Sequence, residues 1–259
     1  MILLYATADA KRNEAFILEL RRFGDFKLIC WDQWDAKDTA LLADSLHGHT
    51  VLFRCRRPQA ARFLEDKGVR LINRAEVNRI TNDKWLSHQL FGVLGVPSIP
   101  TFHEPQEFPC IAKTVDGYGG TEVVRVESAE PGPPFDTETI YQPIVPHVAD
   151  VRAYVIGDKV VGAVKRSSES SFRKNFSLGA NVEKFTLDST QEMEVLKIAR
   201  ALKADYIGVD FLLLEDGSHL FNEIEDPVGA RSFYKTHDEN IAELLVRHIK
   251  SKERNAPYE

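Results

Sequence analysis

Cysteine and long apolar runs are both scarce in this chain of 259 residues. Its cysteines, Cys30, Cys55 and Cys110, are odd in number and form no close-spaced pair, a pattern typical of reduced, structural thiols. No segment approaches the roughly 20 apolar residues that span a bilayer, and the short run at residues 1–6 lacks the basic leader of a signal peptide. We therefore expect a cytoplasmic protein that does not bind a membrane.

An excess of positive charge is also lacking, because the formal net charge is −6. A protein that wraps nucleic acid needs a concentrated basic face, so we do not expect nucleic acid as a partner. The sequence contains no internal repeat, no low-complexity tract and no recognisable nucleophilic triad. What it does contain is 43% hydrophobic residues, which suits one large or two to three small globular domains.

Strand-like and helical patterns alternate over residues 1–80. The apolar runs with the length of strands are residues 2–5, 26–31, 50–53 and 69–72. The stretches with helical periodicity between them are residues 13–23, 37–46 and 58–67. This alternation predicts βαβ units and a small domain with a parallel sheet.

Strand patterns dominate from residue 108 onward, after a helix predicted over residues 82–94. The expected cap of that helix is Thr81 or Asn82, and its expected apolar stripe is Leu86, Leu90, Val93 and Leu94. Strand-like runs follow at residues 109–114, 121–126, 139–144, 151–156, 160–165, 208–214 and 218–224. Capping-box patterns at residues 189–192 and 236–239 predict the starts of two later helices. The sum is a mostly β lobe at residues 81–141 and a larger α+β lobe at residues 142–259.

The most informative polar residues are Asp210, Glu223 and Glu225. Glu223 and Glu225 lie two apart and so face the same side of a strand, and a hairpin would place Asp210 across from them. Converging carboxylates repel one another unless a cation lies among them, and hard oxygen ligands suit Mg²⁺ or Mn²⁺. The alternative is an edge strand whose glutamates point to solvent, although the neighbours Phe221 and Ile224 alternate wrongly for a simple exposed face.

Two basic segments add to this pattern. Lys113 ends an apolar strand and is followed by a glycine-rich turn at residues 114–121, where backbone N–H groups could approach phosphate. The spacing is not the Walker pattern, and a plain hairpin turn would have a similar sequence. Cations at residues 152, 165–166 and 173–174 could offset the charge of phosphoryl transfer, or they belong to a solvated loop.

Taken in order, these segments resemble the ATP-grasp superfamily, most closely its RimK-like branch of carboxylate–amine ligases. The resemblance runs from about residue 72 to about residue 249 and rests on Ile72-Asn73-Arg74, Asn82-Asp83-Lys84, residues 94–101, Ile111-Ala112-Lys113, Tyr141-Gln142, Asp150-Val151-Arg152, Phe172-Arg173-Lys174-Asn175 with Gly179, Gly208-Val209-Asp210 and Asn222-Glu223-Ile224-Glu225. It implies an α+β ATP-grasp fold, in which two α+β lobes hold ATP between them. A small parallel α/β pre-ATP-grasp domain would precede those lobes.

The resemblance also implies roles for individual residues. The residues expected to contact the ATP phosphates, directly or through a lid, are Lys84, Lys113, Gly117, Gly119, Gly120, Arg173 and Asn175. Those expected beside adenine and ribose are Gln142, Pro143, Ile144, Val145 and Asp150. Those expected to hold Mg²⁺ are Asp210, Glu223 and Glu225. Those expected to act as catalytic cations are Lys113, Arg166 and Arg173.

Three positions depart from the family pattern. Pro143 stands where the family usually has a glutamate, and a proline keeps its C=O but lacks an N–H. Glu225 stands where the family usually has an asparagine, and the extra carboxylate could tighten metal binding or favour Mn²⁺. Arg231 follows a loop that replaces the usual Pro-Gly, and it could grip a substrate carboxylate or pair with Asp226.

The implied activity is ATP-dependent ligation of a carboxylate to an amine through an acyl phosphate, with release of ADP and phosphate. An ATP-dependent phosphotransferase or a non-catalytic nucleotide-binding module would use the same cleft. The expected substrates are small-molecule or peptide carboxylates and amines. Arg54, which follows the third predicted strand, could contact a substrate or be solvated. Related enzymes are often oligomers, so a homo-oligomer is compatible with the resemblance.

Overall fold

The computed structural model describes residues 1–117, 122–130, 134–167 and 181–254, and its N-terminal part contains a four-stranded parallel sheet. In the spatial order β2-β1-β3-β4, the sheet is built from β1 (Ile2–Tyr5), β2 (Lys27–Cys30), β3 (Thr50–Phe53) and β4 (Arg70–Ile72). The connecting helices are α1 (Thr7–Arg12), α2 (Glu14–Phe23), α3 (Ala36–Leu46) and α4 (Pro58–Asp66). The parallel sheet confirms the alternation seen in the sequence, whereas α1 is not among the predicted elements.

A three-stranded antiparallel sheet forms the middle of the chain, with the spatial order β6-β5-β7. Its strands are β5 (Cys110–Thr114), β6 (Val123–Val126) and β7 (Thr139–Pro143). Ala112 and Tyr141 belong to the small core on one face of this sheet. Lys113 lies on the opposite face because side chains alternate along a strand. Gln142 shares the face of Lys113, since it is paired with Ile111 across the two strands.

A five-stranded antiparallel sheet forms the largest element, with the spatial order β10-β9-β8-β11-β12. Its strands are β8 (Ala149–Ile156), β9 (Lys159–Ser167), β10 (Asn181–Phe185), β11 (Tyr206–Leu213) and β12 (His219–Glu225). One face packs against α7 (Ser189–Leu202). Part of the other face packs against α8 (Arg231–Thr236), α9 (Ile241–Arg254) and α2. The rest of that second face carries charged side chains and forms the candidate site described below.

Two short helices, α5 (Ala75–Thr81) and α6 (Lys84–Leu94), connect the N-terminal sheet to the rest of the chain. The predicted cap of α6 is wrong, and its predicted stripe is right only in part, because Leu90 and Leu94 pack against the core from half-buried positions. Its N-cap is Asp83, whose carboxylate accepts from the Leu86 backbone N–H. The buried face consists of Lys84, Ser87, His88 and Phe91, while Val93 is 85% exposed. The helix therefore presents a largely polar face to the interior, which an apolar-periodicity argument does not identify.

The two predicted capping boxes are each displaced. The N-cap of α7 is Asp188, which forms the reciprocal capping box with Gln191. Thr236 is the last residue of α8 rather than the start of a helix, and its hydroxyl donates to the Ser232 carbonyl. Asn240 instead accepts from the first N–H groups of α9. The overall α+β class is confirmed, and no helix within the described ranges is long and apolar enough to cross a bilayer.

Candidate active site

The hairpin of β11 and β12 brings the three predicted metal ligands together. Asp210 lies directly opposite Glu223, and Gly208 lies opposite Glu225. One carboxylate oxygen from each of Asp210, Glu223 and Glu225 lies within 4.8 Å of the others. These donors are hard oxygen atoms, the type that Mg²⁺ and Mn²⁺ prefer. The prediction of a carboxylate cluster on one face of a strand pair therefore agrees with the geometry.

A β-bulge in β12 explains why Phe221 and Ile224 do not alternate with the glutamates as they would on a simple exposed strand. The register shifts after Asp210, so that Phe211 pairs with Phe221 and Asn222 is the extra residue. Without the bulge, Phe221 would share the face of Glu223. With it, Phe221 and Ile224 are both fully buried on the core side. Bulges are often used next to active sites to redirect a side chain, and here the bulge keeps the glutamates on the cleft side.

Asp210 is bonded to two arginines, one on the adjacent strand β8 and one on the next strand, β9. Arg152 Nε and Nη2 donate to its two carboxylate oxygens at 2.7 Å, and Arg166 Nη2 donates to Oδ2 at 2.8 Å. Burial by itself raises the pKa of Asp210, but Arg152 and Arg166 lower it to about 2. Arg152 Nη2 also donates to Glu225 at 2.8 Å. Asp210 is therefore ionised, and Arg152 links two of the three carboxylates.

Glu223 lacks such a partner among the described residues. Its nearest cation there is Lys84, whose Nζ lies 3.8 Å from Oε1. Burial raises the pKa of Glu223, Glu225 adds to that rise, and Lys84 opposes it. A carboxylate in this position gains most from a nearby cation. The donor set and this incompletely compensated charge fit a divalent ion.

Two lysines extend from the smaller sheet and α6 toward the carboxylates. Lys113 Nζ donates to Asn222 Oδ1 at 2.9 Å, and Lys84 Nζ donates to the Gly117 carbonyl. Burial lowers the pKa of Lys113 to about 8, although Glu223 raises it. The predicted phosphate contacts Lys84, Lys113 and Gly117 thus lie at one end of a cleft. The predicted residues Gly119, Gly120, Arg173 and Asn175 lie outside the described residues.

The residues predicted to contact adenine and ribose lie between the end of β7 and the start of β8. Gln142 is buried on β7, and Pro143 ends that strand. Ile144 is 38% exposed, and the Val145 carbonyl accepts from His147 Nδ1 at 2.7 Å. The last of them, Asp150, is paired in register with Arg166. These residues therefore extend from the smaller sheet to the larger one.

Arg54 does not lie where a substrate contact was expected. It is 3% exposed, its Nη2 donates to the Val228 carbonyl at 2.6 Å, and its guanidinium lies over the rings of Tyr5, Phe16 and Tyr206. Both alternatives raised by the sequence, a substrate contact and a solvated side chain, assumed exposure. The structure instead uses Arg54 to hold the loop that follows Glu225.

Asp226 is part of the same internal connection and does not pair with Arg231. Its carboxylate accepts from Asn73 at 3.0 Å and from Asn78 at 3.3 Å, and its carbonyl accepts from Asn82 at 2.8 Å. Burial raises the pKa of Asp226, while Arg54 and the two amides oppose the rise. Arg231 is exposed at the start of α8. The N-terminal part of the chain thereby fixes the loop adjacent to the metal-ligand candidates.

Sequence reasoning assigned no role to His88 or Thr101, and it named Arg152 only as one of several cations that could offset phosphate charge, not as a partner of the carboxylates. Arg152 lies directly across from Asp210 on β8. A signal was present, because Arg152 lies two residues from Asp150 and therefore shares its strand face. His88 lies four residues after Lys84, which places both on one face of α6. Thr101 gives no comparable signal, since it lies in an irregular segment that meets β7 only through tertiary contacts.

Comparisons with known proteins agree with this arrangement. A family model described as the RimK-like ATP-grasp domain matches residues 81–249. The uncharacterized protein MG011 of Mycoplasma genitalium is 30% identical over 258 residues, covering 94% of this chain and 90% of that protein. A probable alpha-L-glutamate ligase of Pasteurella multocida is 27% identical over 212 residues, covering 74% of this chain and 67% of the ligase.

A solved structure extends the likeness to the whole fold. The ATP-grasp ligase PsnB, complexed with a minimal precursor, superposes with a TM-score of 0.70 at 16% identity, covering 97% of this chain and 99% of that one. This neighbour and the Pasteurella multocida relative are both described as ligases. The family model spans more than half of the sequence and includes every predicted metal ligand. The chain belongs to the RimK-like ATP-grasp family.

Proposed function

We propose that this chain is an ATP-dependent carboxylate–amine ligase that works through an acyl phosphate. The observation that carries the proposal is the convergence of Asp210, Glu223 and Glu225 within 4.8 Å, faced by Lys84 at 3.8 Å from Glu223. Carboxylates in such a cluster hold Mg²⁺, and the cations around it suit transferred phosphate.

The proposed reaction has two steps. A substrate carboxylate oxygen attacks the γ-phosphorus of ATP, which forms an acyl phosphate and releases ADP. The nitrogen of an amine then attacks the acyl carbon, phosphate leaves with the C–O bonding electrons, and the amine proton is lost to solvent. Neither step needs a nucleophilic side chain, so the protein acts by positioning groups and offsetting charge.

Each group in the cleft has a part in this scheme. Asp210, Glu223 and Glu225 would hold Mg²⁺ or Mn²⁺, and the bound ion would offset negative charge on the phosphates. Lys84 and Lys113 would contact phosphate oxygens. Burial favours loss of the Lys113 proton, but an added triphosphate would favour the protonated form.

Arg166 is held on the larger sheet by its bond to Asp210. Its Nε is buried and has no hydrogen-bond partner among the described residues. A guanidinium whose N–H groups are not all used in other hydrogen bonds can contact the transferred phosphoryl group and then the acyl phosphate. This supports the catalytic role proposed for Arg166.

The acceptor side is best sought in the small cavity beside the carboxylates. Its lining includes Arg56 and Asn82 from the N-terminal part, Asp116 and Gly117 after β5, and Glu225. The cavity thus combines two cations, Arg56 and Lys84, with several carboxylates next to the phosphate end of the cleft. Such a lining suits substrates that carry both an amine and a carboxylate.

An ADP-release screen over pairs of amino acids and small carboxylates tests the proposed activity. We expect ADP and phosphate to appear only when both substrates are present, and we expect added hydroxylamine to trap the acyl phosphate as a hydroxamate. Formation of AMP and pyrophosphate would contradict the mechanism. A stable phosphorylated product without an amine would identify a phosphotransferase. Nucleotide binding without any turnover would identify a regulatory module.

A further inference from the structure

The side-chain amide of Gln142 is held by two neighbours on the cleft side of the smaller sheet. Its Nε2 lies 2.9 Å from Thr101 Oγ1 and 2.9 Å from His88 Nε2. Gln142 and Thr101 approach each other because the irregular segment around residue 101 runs antiparallel to β7, with Phe102 bonded to Tyr141. His88 reaches the amide from the buried face of α6.

The Thr101 hydroxyl determines which end of the amide faces it. A hydroxyl has one hydrogen to donate, and Thr101 donates it to the Ile99 carbonyl at 2.9 Å. Its oxygen is therefore left only as an acceptor. The amide end that approaches it must be the NH₂ group, because an amide oxygen in that place would face a lone pair.

His88 is compatible with the same orientation. Burial, followed by the nearby charge of Lys113, lowers the pKa of His88 to about 3, so the imidazole is neutral. A neutral imidazole has one donor and one acceptor nitrogen. With Nε2 as the acceptor, both hydrogens of the Gln142 amide are used. His88 could also adopt the other tautomer, so Thr101 is the neighbour that decides the orientation.

The amide oxygen of Gln142 is then the only end available to a ligand. Within the described residues it accepts no hydrogen bond from protein, and it is not among the buried atoms that lack a partner. Gln142 shares its sheet face with Lys113, which reaches Asn222 beside the metal-ligand candidates. An acceptor therefore lies on the same face of the smaller sheet as Lys113, where it can meet a ligand that donates.

We infer that Thr101 and His88 are positioning residues that lock the Gln142 amide with its oxygen toward the base of the bound nucleotide. This inference rests on the proposed function, because it requires a purine nucleotide in the cleft. The locked oxygen accepts from the exocyclic amino group of adenine. It disfavours a 6-oxopurine, which presents an acceptor at the same position. Thr101 thus sets nucleotide selectivity without touching the nucleotide.

Binding of ADP and IDP in the presence of Mg²⁺ tests the inference by calorimetry, without turnover. We expect the wild-type protein to bind ADP about tenfold or more tightly than IDP. Thr101→Val keeps the side-chain shape but removes the hydroxyl oxygen that accepts from Gln142. The Gln142 amide can then exchange the positions of its oxygen and NH₂ group when His88 changes tautomer. We expect this variant to lose most of that ADP preference. Thr101→Ser keeps the hydroxyl and should retain the preference.

His88→Leu provides a second variant with a smaller expected effect, because Thr101 still holds the amide. His219→Leu is the matched control, since it removes another buried histidine that contacts Glu194, Phe211 and Phe221 instead. It should leave the ADP-to-IDP ratio unchanged. Thermal unfolding of each variant identifies any that fails to fold.

The outcomes separate this inference from the proposed function. If wild-type protein prefers ADP and a folded Thr101→Val variant keeps that preference, the amide lock is wrong while the ligase proposal stands. Equal wild-type affinity for ADP and IDP would also refute the lock. If wild-type protein binds neither nucleotide, both the lock and the proposed function fail.

Discussion

The two ends of the proposed nucleotide cleft differ in charge and in hydrogen bonding. At one end, Asp210, Glu223 and Glu225 converge among arginines and lysines. At the other, Gln142 is surrounded by a neutral histidine and a hydroxyl. Charge interactions act over several ångströms and tolerate small displacements, whereas a hydrogen bond depends strongly on which atom donates.

This difference assigns separate tasks to the two ends. The charged end can supply most of the attraction for a metal-bound triphosphate, but it cannot distinguish one base from another. The neutral end adds less attraction but distinguishes a donor from an acceptor. Substitutions at the charged end should therefore change rate and metal dependence, and those at the neutral end should change selectivity.

The largest effect is expected at the charged end, for Glu223→Gln. The substitution keeps the shape of the side chain and removes the charge that a metal ion requires, so we expect ADP release to fall about 100-fold or more. Initial rates of ADP release measure this. Glu215→Gln, in the exposed turn of the same hairpin, is the matched control and should keep the wild-type rate. Near-normal turnover by Glu223→Gln would remove this residue from the metal site.

Arg152→Gln should be the next largest change, and it acts on stability. Arg152 bonds both oxygens of buried Asp210 and one of Glu225, and removing one partner of a buried pair typically costs about 3–5 kcal/mol. We expect a loss near the lower bound, because Arg166 remains bonded to Asp210. Urea unfolding without Mg²⁺ measures it, and Arg152→Lys should lose less. A loss below about 1 kcal/mol, the range of exposed pairs, would mean that Asp210 does not depend on Arg152.

A change in ionic strength should alter the affinity for ADP, which depends on the charged end, but not the preference for ADP over IDP, which depends on the neutral end. Raising NaCl from about 0.05 M to about 0.5 M shortens the range of electrostatic interactions, so ADP affinity should fall severalfold. The ratio of ADP to IDP affinity should stay constant, because it depends on a neutral hydrogen bond. Calorimetric titrations at the two salt concentrations measure both quantities. A ratio that falls together with affinity would contradict the division between the ends.

The smallest effect is expected outside the cleft, at Asp205. This buried carboxylate accepts from His248 at 2.7 Å and from Lys252 at 2.6 Å. Burial raises the pKa of Asp205. Hydrogen bonds and charge from His248 and Lys252 together lower it by a larger amount, so the pKa in the folded protein is below its ordinary value. Its contribution to stability is therefore present above its unfolded pKa and is lost as pH falls through the folded pKa.

Asp205→Asn tests that sign. We expect the variant to be less stable than wild type at neutral pH, by less than the loss from Arg152→Gln, and to lose less of its remaining stability on acidification. Urea unfolding at several pH values measures this. An equal acid dependence in both proteins would show that Asp205 does not contribute. ADP affinity should be unchanged, because the carboxylate lies outside the cleft.

The charged end was largely predictable from the sequence, whereas at the neutral end the resemblance named Gln142 but not its neighbours Thr101 and His88. Glu223 and Glu225 lie two apart on a strand, and the ordered segments around them pointed to a nucleotide cleft. The strand bounds were also close, with residues 2–5 and 50–53 matching β1 and β3. Such features depend on local periodicity, which a single sequence contains.

What could not be predicted depends on contacts between distant segments. Thr101 and Gln142 are 41 residues apart in sequence, and Arg54 reaches Val228 across 174 residues. No periodicity records such a pairing. The most buried face of α6 was missed because it includes Lys84 and His88, whereas the usual argument assumes that the buried stripe is apolar.

Asp210, Glu223 and Glu225 are proposed to hold the metal ion of a bound nucleotide. Titration of Mn²⁺ with ADP and protein, followed by electron paramagnetic resonance of the free ion, tests it most directly. We expect wild-type protein to remove the free Mn²⁺ signal at concentrations where Glu223→Gln leaves most of it, and Glu215→Gln to match wild type. Equal loss of the signal with wild type and Glu223→Gln would contradict the claim.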